Sequence, residues 1–270
     1  MRTELDRSGA GHWRAYVSVF KSAFSAHLAY VAWLWVSLAA TAVGFALTLL
    51  VWTFVRGGMA KDPPLFAYLT LAFMANFTLN MGAERYIGER IREGLVATDL
   101  LKPVDYVWMS FFQAITDSVF QGLFTLVIFA LAYTQLGAAL VPASPLALAQ
   151  GLCSLGLAAV VQFHLSFLFT QLIFYTHNNY GPYATRISLH QVFSGVFAPL
   201  DLYPGLMGTL AAWLPFRHVI YTPCAIWLGR LSGDQAWSAL GAQALWALGL
   251  MLAGRAIFGS IRRHLTIQGG

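Results

Sequence analysis

Long apolar runs separated by short polar stretches are the dominant pattern of this 270-residue sequence. Six runs predict membrane-spanning helices, at residues 31–55, 65–81, 107–133, 146–174, 187–200 and 236–258. The first run contains no charge and would extend roughly 37 Å at about 1.5 Å per residue, which is enough to cross a bilayer with some tilt. The pattern predicts an all-α membrane protein with about six transmembrane helices in one domain, residues 1–270.

A regular apolar stripe precedes the first run. Trp13, Tyr16, Val17, Phe20 and Phe24 recur at helical spacing, and polar or basic residues lie between them. This spacing predicts an amphipathic helix at residues 12–28 that lies in the membrane interface. The same residues could instead begin a long, tilted first span, and the pattern leaves that alternative open.

The chain between the second and third runs is the most charged part of the sequence. Opposite charges lie about one helical turn apart, as in Arg85 with Glu89 and Glu89 with Arg92. Apolar residues of the same segment share another face: Ile87, Ile91 and Leu95. The segment therefore predicts a short amphipathic helix, which ends before Pro103.

Helix breakers are frequent between the fifth and sixth runs. They interrupt short apolar patches and comprise Pro204, Gly205, Gly208, Pro215, Pro223 and Gly229, while Pro199 breaks the end of the fifth run itself. A straight helix is not compatible with so many breakers, and irregular backbone at membrane depth must pack on protein rather than on lipid. This pattern predicts a re-entrant segment of short helices that enter the membrane and return.

Few polar side chains fall inside the predicted spans. Gln113, Asp117 and Gln121 lie on one face of the third predicted helix, and His164 lies in the fourth. Placing an aspartate at the centre of a span costs about 2.5 to 3.5 kcal/mol, so Asp117 predicts either a cation, proton or substrate contact or a pairing near the cytoplasmic end. His164 by itself is typical of a hydrogen-bonded packing residue.

Composition narrows the class of protein. The chain is 58% hydrophobic and 10% charged, which is too apolar for a soluble domain. Its net charge of +5 comes largely from Lys and Arg beside the spans, which does not predict a nucleic-acid partner. Because most of these basic residues fall on the side of the N-terminus, we expect a multi-pass protein of the cell (inner, cytoplasmic) membrane with both termini in the cytoplasm.

Catalytic motifs are missing from the sequence. It contains no HExxH, no GxSxG and no Gly-Lys dipeptide, and therefore no P-loop that could hold nucleotide phosphates. We expect no catalytic residue, metal or cofactor in this chain. If ATP drives its activity, the ATPase must be a separate protein.

Two stretches resemble a known family. Tyr86 to Met109, YIGERIREGLVATDLLKPVDYVWM, resembles the first cytoplasmic loop of type-2 ATP-binding-cassette (ABC-2) exporter permeases. Phe193 to Arg230, FSGVFAPLDLYPGLMGTLAAWLPFRHVIYTPCAIWLGR, resembles the fifth span and re-entrant segment of the same permeases. The resemblance covers most of the chain and does not identify a substrate.

The resemblance implies a permease that pairs with a second permease, identical or paralogous, and with two cytoplasmic ABC ATPase subunits that bind ATP and Mg²⁺. It assigns a coupling helix, which docks on the ATPase, to the charged segment. The residues implied in this contact are Glu84, Arg85, Ile87, Glu89, Arg90, Ile91, Arg92, Glu93, Leu95, Asp99 and Leu101. The N-terminal amphipathic stretch would be the connecting helix on the membrane surface.

Three functions are compatible with the sequence. The leading hypothesis is an exporter permease, and the apolar spans favour an amphipathic or hydrophobic substrate. A second is an ion-coupled secondary transporter that uses Asp117, although such a protein predicts inverted repeats and further intramembrane acidic residues, which the sequence lacks. A third is a membrane scaffold without a transported substrate.

Overall fold

The structure is a computed structural model that describes residues 2–29, 31–81 and 83–264. Within these ranges it does not describe the side chains of residues 2–12, 27–29, 31–34, 37, 85 and 264. The described chain is helical throughout and contains no strand, which confirms the predicted all-α class.

Twelve α-helices follow one another in the described ranges, joined by short loops. They are α1 Arg2–Ala29, α2 Val31–Arg56, α3 Pro63–Thr78, α4 Ala83–Arg92, α5 Val96–Asp99, α6 Tyr106–Leu136, α7 Pro145–Gln171, α8 Ile173–Thr176, α9 Tyr180–Phe193, α10 Gly205–Trp213, α11 Tyr221–Trp227 and α12 Asp234–His264. Short 3-10 turns lie at Met59–Lys61, Gly137–Leu140, Leu200–Leu202 and Pro215–His218.

Four of these helices are long and apolar enough to cross a membrane by themselves. The segments are Leu38–Arg56 in α2, Tyr106–Leu140 starting with α6, Pro145–Thr176 starting with α7, and Asp234–Arg263 in α12. The helices at the second and fifth predicted spans are shorter, with 16 residues in α3 and 14 residues in α9. The structure therefore shows a multi-pass membrane architecture built around four long helices.

Helix α3 lies at the centre of the apolar core. Asp62 caps its N-terminus by accepting a hydrogen bond from the Leu65 backbone N–H at 3.3 Å, and Pro63 occupies the first helical position. Nearly every side chain from Leu65 to Phe77 is buried, because α2, α6 and α11 surround the helix. Burial on all sides explains why its sequence lacks a polar face.

The aromatic stripe of α1 packs against α6. Tyr16 stacks on Phe112 with ring centroids 5.3 Å apart, and Phe24 meets Phe120 edge-on at 5.6 Å. The two helices therefore run side by side in the same direction along this stretch. The sequence predicted that this helix lies in the membrane interface or begins a long first span, and the structure shows that the stripe pairs with Phe112 and Phe120 of α6.

Helix α9 begins earlier than the fifth predicted span. It starts at Tyr180, seven residues before the apolar run at 187–200, and ends at Phe193. Its first turns are polar and include Arg186, which is buried and forms an ion pair with a residue of another helix. Hydrophobic spacing does not detect such a partner, so it places the start of the helix too late.

A buried hydrogen-bond cluster joins α12 to α7 and to the turn Pro215–His218. The Gln243 side-chain N–H₂ donates to the backbone carbonyls of Ser154 and His218, both at 2.8 Å. The Ser154 hydroxyl in turn donates to Gln243 Oε1 at 2.8 Å. The Gln243 side chain therefore connects three elements by hydrogen bonds inside the apolar core.

We expect Gln243→Leu to lower the free energy of unfolding by about 1–3 kcal/mol, because it leaves the His218 carbonyl without its side-chain donor and the buried Ser154 hydroxyl without its acceptor. The measurement is thermal unfolding of the purified protein in mild detergent. Gln235→Leu is the control, since Gln235 is exposed on the same helix. Equal melting temperatures for the two variants would show that the cluster does not stabilise the fold.

Candidate functional site

The charged segment folds into α4, a sharp turn and α5. The turn is a Schellman motif, in which the Leu95 N–H donates to the Arg90 carbonyl at 2.9 Å and the Gly94 N–H donates to the Ile91 carbonyl at 3.2 Å. Gly94 has a φ of 71°, a conformation that favours glycine. The turn therefore brings α5 back beside the end of α4.

Asp99 holds the returning chain in place. Its buried carboxylate accepts hydrogen bonds from Arg90 Nε, from Arg90 Nη2 at 2.7 Å and from Lys102 Nζ at 2.7 Å. Burial by itself would raise the pKa of Asp99, but the hydrogen bonds from Arg90 and Lys102 hold this pKa below its ordinary value. The segment is therefore closed by a carboxylate that is ionised at neutral pH.

The segment has an inner and an outer side. Ile87 and Val96 are buried against the helix bundle. The outer surface of α4–α5, as we call it, consists of exposed residues: Glu89, Arg92, Glu93, Leu95 and Leu101. Leu101 is 85% exposed and Leu95 is 36% exposed, so charged and apolar groups lie together on this surface.

The ion pair that closes the segment is not one of the two predicted pairs. Among the described ion pairs none joins Glu89 to Arg92, and the side chain of Arg85 lies outside the described residues. Arg90 instead pairs with Asp99, nine positions away. Helical spacing could not reveal this pair because the chain reverses at Gly94 between its members.

Helix α4 is attached to α9 and to the turn before it. Glu84 forms an ion pair with Arg186, and the side chains are only 2% and 3% exposed. Gly88 lies directly against Asn179, so that even a methyl group at Gly88 would overlap the Asn179 amide. The charged segment is thereby held against the start of α9, although no spacing in the sequence pairs Glu84 with Arg186 or Gly88 with Asn179.

Asp105 anchors the end of the segment. Its carboxylate caps α6 by accepting a hydrogen bond from the Trp108 N–H at 2.9 Å, and it pairs with Arg255 of α12 at 3.4 Å. The Asp105 backbone N–H donates to the Tyr16 hydroxyl of α1 at 3.1 Å. The segment therefore contacts α1, α6, α9 and α12, either directly or through its ends.

Two of the predicted intramembrane polar residues contact backbone carbonyls. Gln121 donates from Nε2 to the Asn80 carbonyl at 3.2 Å, whereas His164 Nδ1 lies 2.9 Å from the Val160 carbonyl of its own helix. Gln113 and Asp117 are partly buried on α6. Within the described part of the chain, no group of three or more His, Cys, Asp or Glu residues could hold a metal ion.

The sequence matches the family described as ABC-2 family transporter protein over residues 64–269. This range is most of the chain and extends from the start of α3 to the end of α12, so the protein belongs to this family. No curated protein matches the sequence. The match confirms the resemblance to ABC-2 permeases and supports a role as the membrane component of a transporter rather than as an enzyme.

Glu84→Gln is expected to lower the free energy of unfolding by about 3–5 kcal/mol, because it leaves the buried Arg186 guanidinium without a counter-charge. Thermal unfolding in detergent measures the loss. Glu89→Gln is the matched control on the exposed side of α4 and should unfold like the wild type. The double variant Glu84→Gln/Arg186→Gln should recover part of the loss, and a strictly additive double variant would contradict a direct pair.

Asp99→Asn is expected to lower stability by about 1.5–3 kcal/mol at neutral pH, because the carboxylate is bonded to charged donors. The pKa of Asp99 is depressed in the folded state, so the ionised group stabilises the fold above its ordinary pKa, and this contribution is lost as the pH falls through the depressed value. The difference from wild type should therefore be constant from about pH 5 to about pH 8 and shrink below about pH 4.

Melting temperatures recorded across this pH range test the expectation for Asp99. Glu93→Gln removes an exposed carboxylate of the same segment and should unfold like the wild type throughout. A difference between Asp99→Asn and wild type that grows on acidification would have the wrong sign and would contradict the proposed hydrogen bonding.

Proposed function

We propose that this protein is the permease subunit of an ABC exporter that moves an amphipathic or hydrophobic substrate across the inner (cytoplasmic) membrane. A separate ATPase subunit binds ATP and Mg²⁺, and the permease functions as a homo- or heterodimer with a second permease. The family match over residues 64–269 supports the transport role. The outer surface of α4–α5 is the observation that carries the coupling to an ATPase.

The proposed topology has six spans, formed by α2, α3, α6, α7, α9 and α12, with both termini in the cytoplasm. At about 1.5 Å per residue, α3 and α9 would extend roughly 24 Å and 21 Å, so each crosses the hydrocarbon core only together with its flanking residues. We propose that the chain from Ser194 to Arg230, which contains α10 and α11, is the re-entrant segment.

Hydrogen bonds support membrane depth for the irregular part of this segment. The Tyr68 hydroxyl donates to the Gly195 carbonyl at 2.8 Å, and the Trp52 indole donates to the Phe197 carbonyl at 2.9 Å. The Tyr221 N–H donates to the Ser194 carbonyl at 2.9 Å. Backbone that leaves a helix inside a bilayer is tolerated where protein groups bind it in this way.

The outer surface of α4–α5 has the properties of a docking surface. It presents charged groups of both signs beside two exposed leucines, and it projects from a base that Glu84, Gly88 and Asp105 hold against other helices. Closely packed helices move as rigid bodies rather than bending. A displacement applied to this surface by an ATPase would therefore be transmitted to α9 and α12.

Helix α1 is proposed to run from the cytoplasmic membrane surface along α6, with Tyr16 bonded to Asp105 beside the coupling segment. The exposed apolar side of α2, with Val43, Leu47, Leu50 and Val51, supports contact with lipid or with the second permease. In this arrangement the chain itself binds no cofactor and contacts no nucleic acid.

The test is a mild-detergent purification of the tagged chain from its native membrane, with the copurified ATPase quantified by mass spectrometry and by ATP hydrolysis. We expect the double charge reversal Glu89→Lys/Arg92→Glu to lower ATPase recovery by about tenfold, because contacts at the centre of an interface dominate its affinity. The control reverses Arg262 and Arg263, which are exposed at the end of α12, and should recover as much ATPase as the wild type.

Two outcomes would contradict the proposal in different ways. If the two charge-reversed variants recovered equal amounts of ATPase, the docking surface would not lie on α4–α5. Absence of an ATPase from the wild-type preparation would reject the exporter itself and leave ion coupling at Asp117 as the function to test.

A further inference from the structure

A cavity of ≈ 280 Å³ lies between α2, α3, α7 and α9. Its wall includes Asn76 of α3, Gln162 of α7 and His190 of α9. Phe197 forms part of the rim and is 51% exposed, so the cavity opens to the outside on that side. The volume lies just below that of pockets which enclose drug-sized molecules, so it suits one headgroup rather than a whole amphiphile.

The wall contains polar groups whose hydrogen bonds are incomplete. His190 Nε2 lies 3.0 Å from Asn76 Oδ1, but His190 Nδ1 has no partner in the structure. Gln162 Oε1 is also buried without a partner. A buried polar atom that makes no hydrogen bond is costly, and a ligand group in the cavity would complete the set once the Gln162 or His190 side chain turns toward it.

The cavity carries no uncompensated charge from an acidic or basic residue. Among the described wall residues Arg186 is the only Arg, Lys, Asp or Glu, and its guanidinium is paired with Glu84. The remaining polar side chains are mainly amides and hydroxyls, including Asn80, Gln191 and Thr48. Such a wall favours an uncharged hydrogen-bonding group, because an ionic group would enter without a counter-charge.

Aromatic rings form another part of the wall. Phe45 of α2 stacks on Phe73 of α3 with centroids 4.2 Å apart, and Phe197 lies at the rim. Flat apolar rings beside amide groups can contact a ligand that has both C–H faces and hydroxyl edges.

We propose that this cavity binds the uncharged, hydroxyl-rich headgroup of an amphipathic molecule whose apolar chain remains in the membrane. Naming this ligand as the exported substrate rests on the proposed function. Binding itself needs only this chain, so it is tested without an ATPase.

The probe is an alkyl glucoside that carries a photoreactive diazirine in its alkyl chain. Matched probes of the same chain length carry a trimethylammonium or a sulfate headgroup instead. The purified chain is placed in lipid nanodiscs of phosphatidylethanolamine and phosphatidylglycerol, irradiated with each probe, and digested for mass spectrometry. We expect the glucoside to label peptides from α2, α3, α7 and α9 about fivefold more than either charged probe, a difference of the size that hydrogen-bond matching supplies.

Gly44→Leu tests the location. Gly44 lies in the wall, and a Cβ built there meets no atom within 4 Å, so a leucine at this position begins in open space beside the cavity and removes no side-chain hydrogen bond. We expect labelling to fall by about fivefold. Gly156→Leu is the control, because Gly156 is exposed on α7 away from the cavity with the same open space around its Cβ.

Gln162→Leu tests the chemistry. This substitution keeps a similar volume while removing the amide, and it should reduce the preference for the glucoside over the charged probes. Gln150→Leu makes the same change at another buried glutamine of α7 that is not in the cavity wall. Equal labelling by all three probes, preference for a charged probe, or labelling unchanged by Gly44→Leu would each overturn the proposed site. Because no ATPase is present, these outcomes are independent of the coupling test.

Discussion

The ion pair between Glu84 and Arg186 is the interaction on which the arrangement of the proposed site depends. Both side chains are almost completely buried, and a buried charge is tolerated only when a partner of opposite sign stays beside it. The pair therefore keeps α4 in register with α9, and the close approach of Gly88 to Asn179 strengthens the same contact. The position of the outer surface of α4–α5 relative to the rest of the bundle follows from this register.

The same ion pair connects the proposed docking surface with the cavity. Glu84 belongs to α4, whereas Arg186 lies in the cavity wall and shares α9 with His190. His190 in turn contacts Asn76 of α3, a helix that lies almost entirely in the core. Under the proposed function, an ATPase that displaces α4 would also move the polar residues that α9 and α3 contribute to the cavity wall, because these side chains are in direct contact. The link is short because it needs only α4, α9 and α3.

Hydrogen bonding explains how irregular backbone coexists with so apolar a chain. The carbonyls at Ser194, Gly195 and Phe197 are satisfied by donors from Tyr221, Tyr68 and Trp52. Gln243 performs the corresponding role between α7, α12 and the turn Pro215–His218. In each case a donor distant in sequence completes the backbone hydrogen bonds, which is the condition for leaving a helix where water is absent.

The sequence by itself determined the all-α class, long apolar helices that could cross a membrane and the resemblance to ABC-2 permeases, because apolar runs, composition and short motifs are local properties of the chain. It did not determine that the α1 stripe faces α6, that Arg90 pairs with Asp99 across the turn at Gly94, or that α9 begins at Tyr180 and buries Arg186 against Glu84. Only the tertiary structure decided these features and the cavity. Each depends on which side chains meet after the chain has folded, and charges or rings that are far apart in sequence leave no periodic signal.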